Sequence, residues 1–271
     1  MDDRPEAATD RPEAASGVYG SVSADPAEAI RLRGLSREYG ERLALRDVDL
    51  DVAEGETLAL LGPNGSGKST MLRILATLLR PTSGEVSVLG SSLPDESWKL
   101  RGRIGYLGHE PLLYRDLTGR ENLELQARLH GIPRAEAEAR IEEDLELLEM
   151  SRRADDRVSG FSAGMRQRIA ICRAVIHRPT LLLLDEPDSN LDPEGRELSR
   201  SLIGPEEGRT RVLVSHEPER AIGEADLVVT LDRTGRVAAT EGGRAAGASG
   251  PNQGTGPAGR LESGAGEGAG P

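Results

Sequence analysis

Apolar and polar residues alternate with a period of two in two early segments of the chain, residues 30–35 and 47–52. In the second segment, valine and leucine alternate with aspartate. A period of two places the apolar side chains on one face of a strand and the polar ones on the other. We therefore predict two half-buried antiparallel strands, with ordered structure beginning near Ala29.

Four later segments contain a continuous apolar run, which is typical of parallel strands buried on both faces. They are residues 57–61, 181–184, 210–216 and 227–231, and shorter strand patterns occur at 85–90, at 104–107 and near Val237. The first of the four is followed by helical spacing that begins near Lys68 and runs to Leu79. This order predicts an α/β fold with a mostly parallel core sheet and an antiparallel β subdomain.

Between residues 117 and 151, apolar residues recur with the period of an α-helix. Ala137, Ile141, Leu145 and Leu148 fall on one helical face, and most of the nearby glutamates fall off it. A helical subdomain, at about residues 110–165, is therefore expected as an insertion in the α/β fold.

Both ends of the chain lack the apolar residues that a core requires. Residues 1–25 contain a short duplication, Asp3–Ala8 and Asp10–Ala15, and residues 242–271 are rich in glycine. We predict a disordered N-terminal tail, a folded domain at 29–240 and a disordered C-terminal tail.

The composition is acidic, with 46 Asp and Glu against 34 Lys and Arg and a net charge of −12. A general nucleic-acid-binding protein relies on a basic surface, so no nucleic-acid partner is expected. The single cysteine, Cys172, excludes an internal disulfide and fits a reducing compartment. No apolar run approaches the roughly 18 residues of a membrane span, so spans would have to come from another chain.

A glycine-rich segment between the first buried strand and the helix carries the clearest chemical signal. It consists of Gly62, Pro63, Asn64, Gly65, Ser66, Gly67, Lys68, Ser69 and Thr70. Its glycines let backbone N–H groups approach phosphate oxygens, and the helix N-terminus adds a partial positive charge. We predict that Lys68 binds the β- and γ-phosphates of a nucleotide and that the Ser69 hydroxyl binds Mg²⁺.

Three further polar residues follow buried strands. Asp185 and Glu186 come after the second parallel strand and His216 comes after the third. Since ligands bind at the carboxyl ends of parallel strands, we predict that Asp185 binds Mg²⁺, Glu186 accepts a proton from the attacking water and His216 contacts the γ-phosphate. Alone, His216 could be an ordinary strand-end residue.

Tyr39 is either a packed surface residue or a platform on which the base of the nucleotide stacks.

The segment from Phe161 to Arg168 resembles the signature sequence of ATP-binding cassette (ABC) ATPases, and Ser189–Asp192 resembles their D-loop. The resemblance covers residues 29–240, with the motifs in family order, and is to the P-loop ABC-type nucleotide-binding domain. It implies ATP and Mg²⁺ as ligands and Tyr39 as the adenine-stacking aromatic. It also implies a head-to-tail pair of such domains, in which Ser162 and Gly164 of one subunit contact the γ-phosphate held by the other.

This chain departs from the family pattern in two places. Phe161, Ala163 and Met165 stand where the family usually has Leu, Gly and Gln, and His109 replaces a glutamine that contacts metal and water. Imidazole can still bind a metal or orient water, so His109 is a candidate ligand of both nucleotide and metal. Together with residues 117–123, the segment Gly108–Pro111 resembles the haem exporter ATPase of cytochrome c maturation.

We therefore expect an ATP-hydrolysing subunit that drives separate transmembrane permease chains from the cytoplasmic, inner face of the cell membrane. Haem export in cytochrome c biogenesis is the cargo implied by the narrower resemblance, and the subunit would work in a homodimer or heterodimer. An ABC exporter of drugs or lipids shares the same ATPase motifs. A soluble ABC ATPase that acts as a scaffold in iron–sulfur assembly is a different class, which a polytopic membrane partner would exclude.

Overall fold

The computed structural model describes residues 27–243 of the chain. The two tails predicted at 1–25 and 242–271 lie outside this range, apart from Gly242 and Gly243. Within residues 27–243, no helix combines the length and the apolar composition that crossing a bilayer requires.

The described part of the chain forms ten strands and six α-helices. The strands are β1 (Glu28–Tyr39), β2 (Arg42–Ala53), β3 (Thr57–Leu61), β4 (Ser83–Val88), β5 (Ser91–Leu93), β6 (Ile104–Leu107), β7 (Leu181–Asp185), β8 (Thr210–Val214), β9 (Leu227–Leu231) and β10 (Val237–Gly242). The helices are α1 (Lys68–Leu75), α2 (Gly119–Leu129), α3 (Arg134–Leu147), α4 (Ala163–Val175), α5 (Pro193–Ile203) and α6 (Pro218–Glu224).

These strands form two sheets. The central sheet has the order β10-β9-β3-β8-β7-β6, and all its neighbours are parallel except β10, which is antiparallel to β9. The second sheet has the order β2-β1-β4-β5 and is antiparallel throughout. The predicted fold class is therefore confirmed: a mostly parallel core sheet, an antiparallel β subdomain and helices inserted between strands.

The central sheet is buried on both faces. Leu181 and Leu183 of β7 pack into a cluster with α1 and the antiparallel sheet, whereas Leu182 and Leu184 pack into a second cluster with α2 to α5. All four side chains are at most 1% exposed. Two apolar faces explain why this strand lacks the alternation seen in β1 and β2.

Helices α2 and α3 lie between β6 and α4 in the chain, where the insertion was predicted. A capping box at Thr118 and Glu121 fixes the start of α2, because each side chain accepts a hydrogen bond from the other's backbone N–H. In and just after α3, the predicted apolar face is buried. The glutamates that flank this face are exposed, so the 3.6-residue pattern identified the buried side correctly.

Helix α1 is shorter than its apolar pattern predicts, since it ends at Leu75 and not at Leu79. Thr77 adopts a left-handed conformation with φ of 63°, and the N–H groups of Leu78 and Leu79 both donate to the carbonyl of Arg73. This turn closes the helix. As a result Leu78 is 61% exposed, so this apolar residue is not part of the core.

Candidate functional site

A cleft of about 560 Å³ opens at the carboxyl ends of the parallel strands. It lies between the helix α1 N-terminus, the loops after β6, β7 and β8, and the turn that joins β1 to β2. Eleven of the predicted site residues line it: Tyr39, Asn64, Gly65, Gly67, Lys68, Ser69, Thr70, His109, Asp185, Glu186 and His216. The sheet topology therefore gathers residues from five separate parts of the sequence.

The glycine-rich loop requires its glycines because backbone atoms lie where a side chain would begin. Gly67 adopts φ of 99°, and a Cβ atom there would lie 2.3 Å from the carbonyl oxygen of Ala44. At Gly62, with φ of 137°, a Cβ would lie 2.4 Å from the carbonyl oxygen of Leu231. Both distances are far inside van der Waals contact, so glycine is needed at both positions.

Lys68 begins α1, and its side chain folds back over the loop. Its Nζ atom donates hydrogen bonds to the carbonyl oxygens of Gly62 at 2.8 Å and Pro63 at 3.0 Å. Burial lowers the pKa of Lys68, while the carboxylates of Asp185 and Glu186 act in the opposite direction. The ammonium is thus held at the mouth of the helix N-terminus, where an anionic ligand would meet both charges.

Three residues of the predicted loop do not line the cleft. Gly62 and Pro63 contribute carbonyl groups to Lys68, as described above. Ser66 is fully buried, and its Oγ has no hydrogen-bond partner within residues 27–243.

Glu186 and His216 form a close pair at the cleft. Glu186 directly follows β7, adopts a left-handed conformation with φ of 57°, and donates its backbone N–H to the carbonyl of Val214 at 2.9 Å. His216 lies two residues beyond β8, and its Nε2 is 2.5 Å from Oε1 of Glu186. A carboxylate and an imidazole in contact can divide proton acceptance and orientation of a reacting group.

Ser162 and Gly164 lie away from the cleft, at the N-terminus of α4. The Ser162 hydroxyl accepts a hydrogen bond from the Met165 N–H at 3.2 Å and caps the helix. A Cβ at Gly164 would lie 2.9 Å from the carbonyl oxygen of Asn190, so the predicted signature packs closely against the predicted D-loop. These two residues do not complete the cleft of their own subunit.

The family described as ABC transporter matches residues 45–189, which is more than half of the chain. This chain belongs to the ABC transporter ATPase family. The match includes the predicted phosphate loop, Asp185, Glu186 and the predicted signature, and it ends at Ser189. The expectation of an ATP-hydrolysing subunit that powers transport is thereby confirmed.

Three relatives of this ABC ATPase are named for different transport or resistance systems. The daunorubicin resistance ATP-binding protein DrrA3 of Streptomyces coeruleorubidus is 41% identical over 78% of this chain and 67% of its own length. The sulfate/thiosulfate import ATP-binding protein CysA of Synechococcus elongatus is 38% identical over 77% of this chain and 61% of its own. The Nod factor export ATP-binding protein I of Rhizobium meliloti is 37% identical over 79% and 65%.

Solved structures share the fold of this ABC ATPase. A dimeric bacterial ABC transporter cassette superposes with a TM-score of 0.72, at 33% identity over 80% of this chain and 99% of that one. A post-hydrolysis state of the same cassette, bound to ADP and Pi, has a TM-score of 0.70 and 32% identity over the same shares of the two chains.

The oxygen donors at the cleft fit Mg²⁺ brought in with a nucleotide. Within residues 27–243, no three His, Cys, Asp or Glu side chains are grouped so that they could hold a metal by themselves. The Ser69 hydroxyl and the Asp185 carboxylate both line the cleft. Mg²⁺ usually takes one or two protein oxygens, with phosphate and water filling its other positions, so this small set suffices. Binding by His109 remains a prediction.

Two arginines of the ABC ATPase line the cleft but were missed from the sequence. Arg73 lies four residues after Ser69 on α1, so both share one helical face, and this spacing could have revealed it. Arg42 pairs with Tyr39 across the β1–β2 turn, and a Cβ at Gly65 would lie 3.3 Å from its guanidinium. Both arginines add positive charge beside the phosphate loop.

Tyr39 is 44% exposed at the edge of the cleft, and the Arg37 guanidinium stands over its ring at 4.8 Å. If Tyr39 stacks on adenine, Tyr39→Ala should weaken ATP binding by about 1–3 kcal/mol, or roughly 5- to 150-fold in Kd. Tyr39→Phe should retain most of the affinity. The measurement is calorimetric titration with ATP and with inorganic triphosphate. Since triphosphate has no base, its affinity should not change.

Tyr114→Ala is the matched control for this prediction, because Tyr114 is 63% exposed and does not line the cleft. Equal losses for ATP and triphosphate in the Tyr39→Ala variant would contradict a stacking role and would indicate damage to the loop instead.

Proposed function

We propose that this ABC ATPase is the motor subunit of a transporter whose membrane-spanning permease chains are separate proteins, and that it works on the cytoplasmic face of the cell membrane. The proposal rests on one observation: the predicted phosphate loop, Asp185 and the Glu186–His216 pair all line the same cleft. The relatives named above are ATP-binding components of transport or resistance systems, which supports a partner that carries the cargo.

The cleft supports a division of labour during hydrolysis. The loop N–H groups and Lys68 hold the β- and γ-phosphates, and Ser69 with Asp185 would hold Mg²⁺. The metal ion, when bound, neutralises charge that develops on the phosphate oxygens. Glu186 accepts a proton from the water that attacks the γ-phosphate, while His216 hydrogen-bonds that phosphate and orients Glu186.

The placement of Ser162 and Gly164 outside the cleft supports a composite site. We propose that two nucleotide-binding domains pair head to tail, as a homodimer or a heterodimer, so that these residues reach the γ-phosphate held by the other subunit. The dimeric cassette described above supports this arrangement. ATP would close the pair and hydrolysis would reopen it, which moves the region from His109 to Glu121 against a permease segment.

For the cargo we propose export of a drug or lipid-like molecule, since two of the three relatives above are named for daunorubicin resistance and Nod factor export. The narrower prediction of haem export rests on the segment around His109, and none of those three names includes haem. His109 lines the nucleotide cleft. Its chemistry therefore concerns ATP and water, and cargo contacts would lie in the permease.

The test is purification of the full chain from its native membrane in mild detergent. A polytopic membrane protein that co-purifies and stimulates ATP hydrolysis supports the motor proposal. A soluble partner of iron–sulfur assembly, with no membrane protein, would contradict it. Loss of haem attachment to cytochrome c after deletion of the gene would favour haem as the cargo, and normal attachment would exclude it.

A further inference from the structure

The loops that carry Glu186 and His216 are joined by ion pairs that the site described above does not use. Asp188, two residues after Glu186, lies 3.1 Å from the Arg220 guanidinium of α6. Arg196 of α5 lies 2.9 Å from the carboxylate of Glu217, the residue after His216. One ion pair therefore joins the Glu186 loop to α6, which follows the His216 loop, and the other joins α5, which follows the Glu186 loop, to the His216 loop.

Hydrogen bonds shape the backbone of both loops, such as the bond from the Glu217 N–H to the Ser215 Oγ at 3.0 Å, but they do not fix the contact between the two side chains. The left-handed φ of Glu186 is unfavourable for a residue with a side chain and persists only where surrounding contacts impose it. The His216 side chain is 57% exposed, so core packing does not hold it. The 2.5 Å contact between them thus depends on contacts outside the pair.

The Asp188–Arg220 bridge is suited to that task because both ends are anchored. Next to Asp188, the carbonyl of Pro187 accepts a hydrogen bond at 2.8 Å from the buried Gln167 side chain of α4. On the other side, Arg220 shares the carboxylate of Glu224 with Arg211, a residue of β8 that is 2% exposed.

Burial and charge act against each other at this bridge. Burial raises the pKa of Asp188, while the guanidinium groups of Arg220 and Arg196 act in the opposite direction. Burial acts to raise the pKa of Glu224, but hydrogen bonds from Arg211 and Arg200 outweigh burial, and the net shift is downward. Glu224 thus stays ionised beside Arg220. Both Asp188 and Arg220 have only about a quarter of their side-chain surface exposed, 27% and 26%, so water screens the pair less than it screens a surface ion pair.

We propose that Asp188 and Arg220 are positioning residues for ATP hydrolysis, and that their ion pair holds the Glu186 loop in register with the His216 loop. The inference rests on the proposed role of Glu186 as the base. Neither residue touches the nucleotide in this proposal. Each acts through the geometry of the Glu186–His216 pair.

The test compares Asp188→Asn, Arg220→Gln and the swapped double variant Asp188→Arg/Arg220→Asp in the full chain. Each single variant should lower kcat about 10-fold, because a displacement of about 1 Å at reacting groups has effects of this order or larger. The KM for ATP should stay within about two-fold, since the phosphate loop is intact. The swapped pair should recover most of the lost kcat.

The control is Asp51→Asn, which breaks the ion pair of Arg33 and Asp51 at 2.7 Å on the antiparallel sheet, away from the cleft. Its kcat should equal that of the wild type. Thermal unfolding of the Asp51→Asn variant should shift by less than about 4 °C, because the Arg33 side chain is 44% exposed and such an ion pair contributes little to stability.

Three outcomes would overturn the inference. Wild-type kcat in both single variants, with an inactive Glu186→Gln variant, refutes the bridge and leaves the proposed function intact. Loss of kcat that the swapped pair fails to restore, together with a large fall in Tm, assigns the residues a purely structural role. Undiminished turnover in Glu186→Gln refutes the proposed base and, with it, the inference.

Discussion

Glu186→Gln is expected to lower ATP turnover by about 10²- to 10⁴-fold, the usual contribution of a general base, while ATP remains bound. Glutamine keeps an oxygen that can accept a hydrogen bond from His216, so the geometry of the pair should survive. It cannot accept a proton at neutral pH, so the attacking water is no longer activated. The measurements are steady-state phosphate release and the Kd of ATP.

The control for this variant is Glu85→Gln, because Glu85 is exposed on β4 and does not line the cleft. Its turnover should match the wild type. If the Glu186→Gln variant hydrolyses ATP at the wild-type rate, Glu186 is not the group that accepts a proton from the attacking water. A variant that loses ATP binding together with turnover would show that Glu186 supports the site and not the chemical step.

Lys68→Ala is expected to abolish detectable ATP binding at micromolar concentrations and to lower turnover by about 10²- to 10³-fold, the loss seen when one donor to a developing anion is removed. The hydrogen bonds from a charged ammonium to phosphate are worth about 1.5–3 kcal/mol each. The change also removes the donor to the carbonyls of Gly62 and Pro63.

Lys99→Ala is the matched control for Lys68, because the chain contains only these two lysines. Lys99 stands near the Trp98 ring and pairs with Glu96, away from the cleft. Its removal should leave ATP affinity unchanged. Circular dichroism and thermal unfolding should show a folded Lys68→Ala protein. Wild-type ATP affinity in that folded variant would contradict the proposed phosphate contact.

The spacing of apolar residues along the chain was sufficient to predict most of the fold. The alternation in β1 and β2 and the continuous apolar run of β7 each depend on which faces of a strand are buried, and burial selects residue types one position at a time. The end of α1 was predicted wrongly because Leu78 and Leu79 continue an apolar spacing. The helix ends because the backbone of Thr77 is left-handed, and the spacing of apolar residues does not predict that conformation.

The phosphate loop was identifiable from sequence because its chemistry is contiguous. The glycines, Lys68 and Ser69 of the predicted loop lie within nine successive residues, so their spacing along the chain also sets their spacing in the cleft. The positions of Asp185, Glu186 and His216 followed from a general rule, that parallel strands present their carboxyl ends at one edge.

The sequence alone therefore determined the fold class, and it predicted the phosphate loop and the acids and histidine at the strand ends, because each is encoded by neighbouring residues. Only the tertiary structure decided which side chains meet. Arg42 and Arg73 join the cleft, and Asp188 pairs with Arg220, through distances set by how strands and helices pack. Such contacts join residues far apart in the chain, and no local period encodes them.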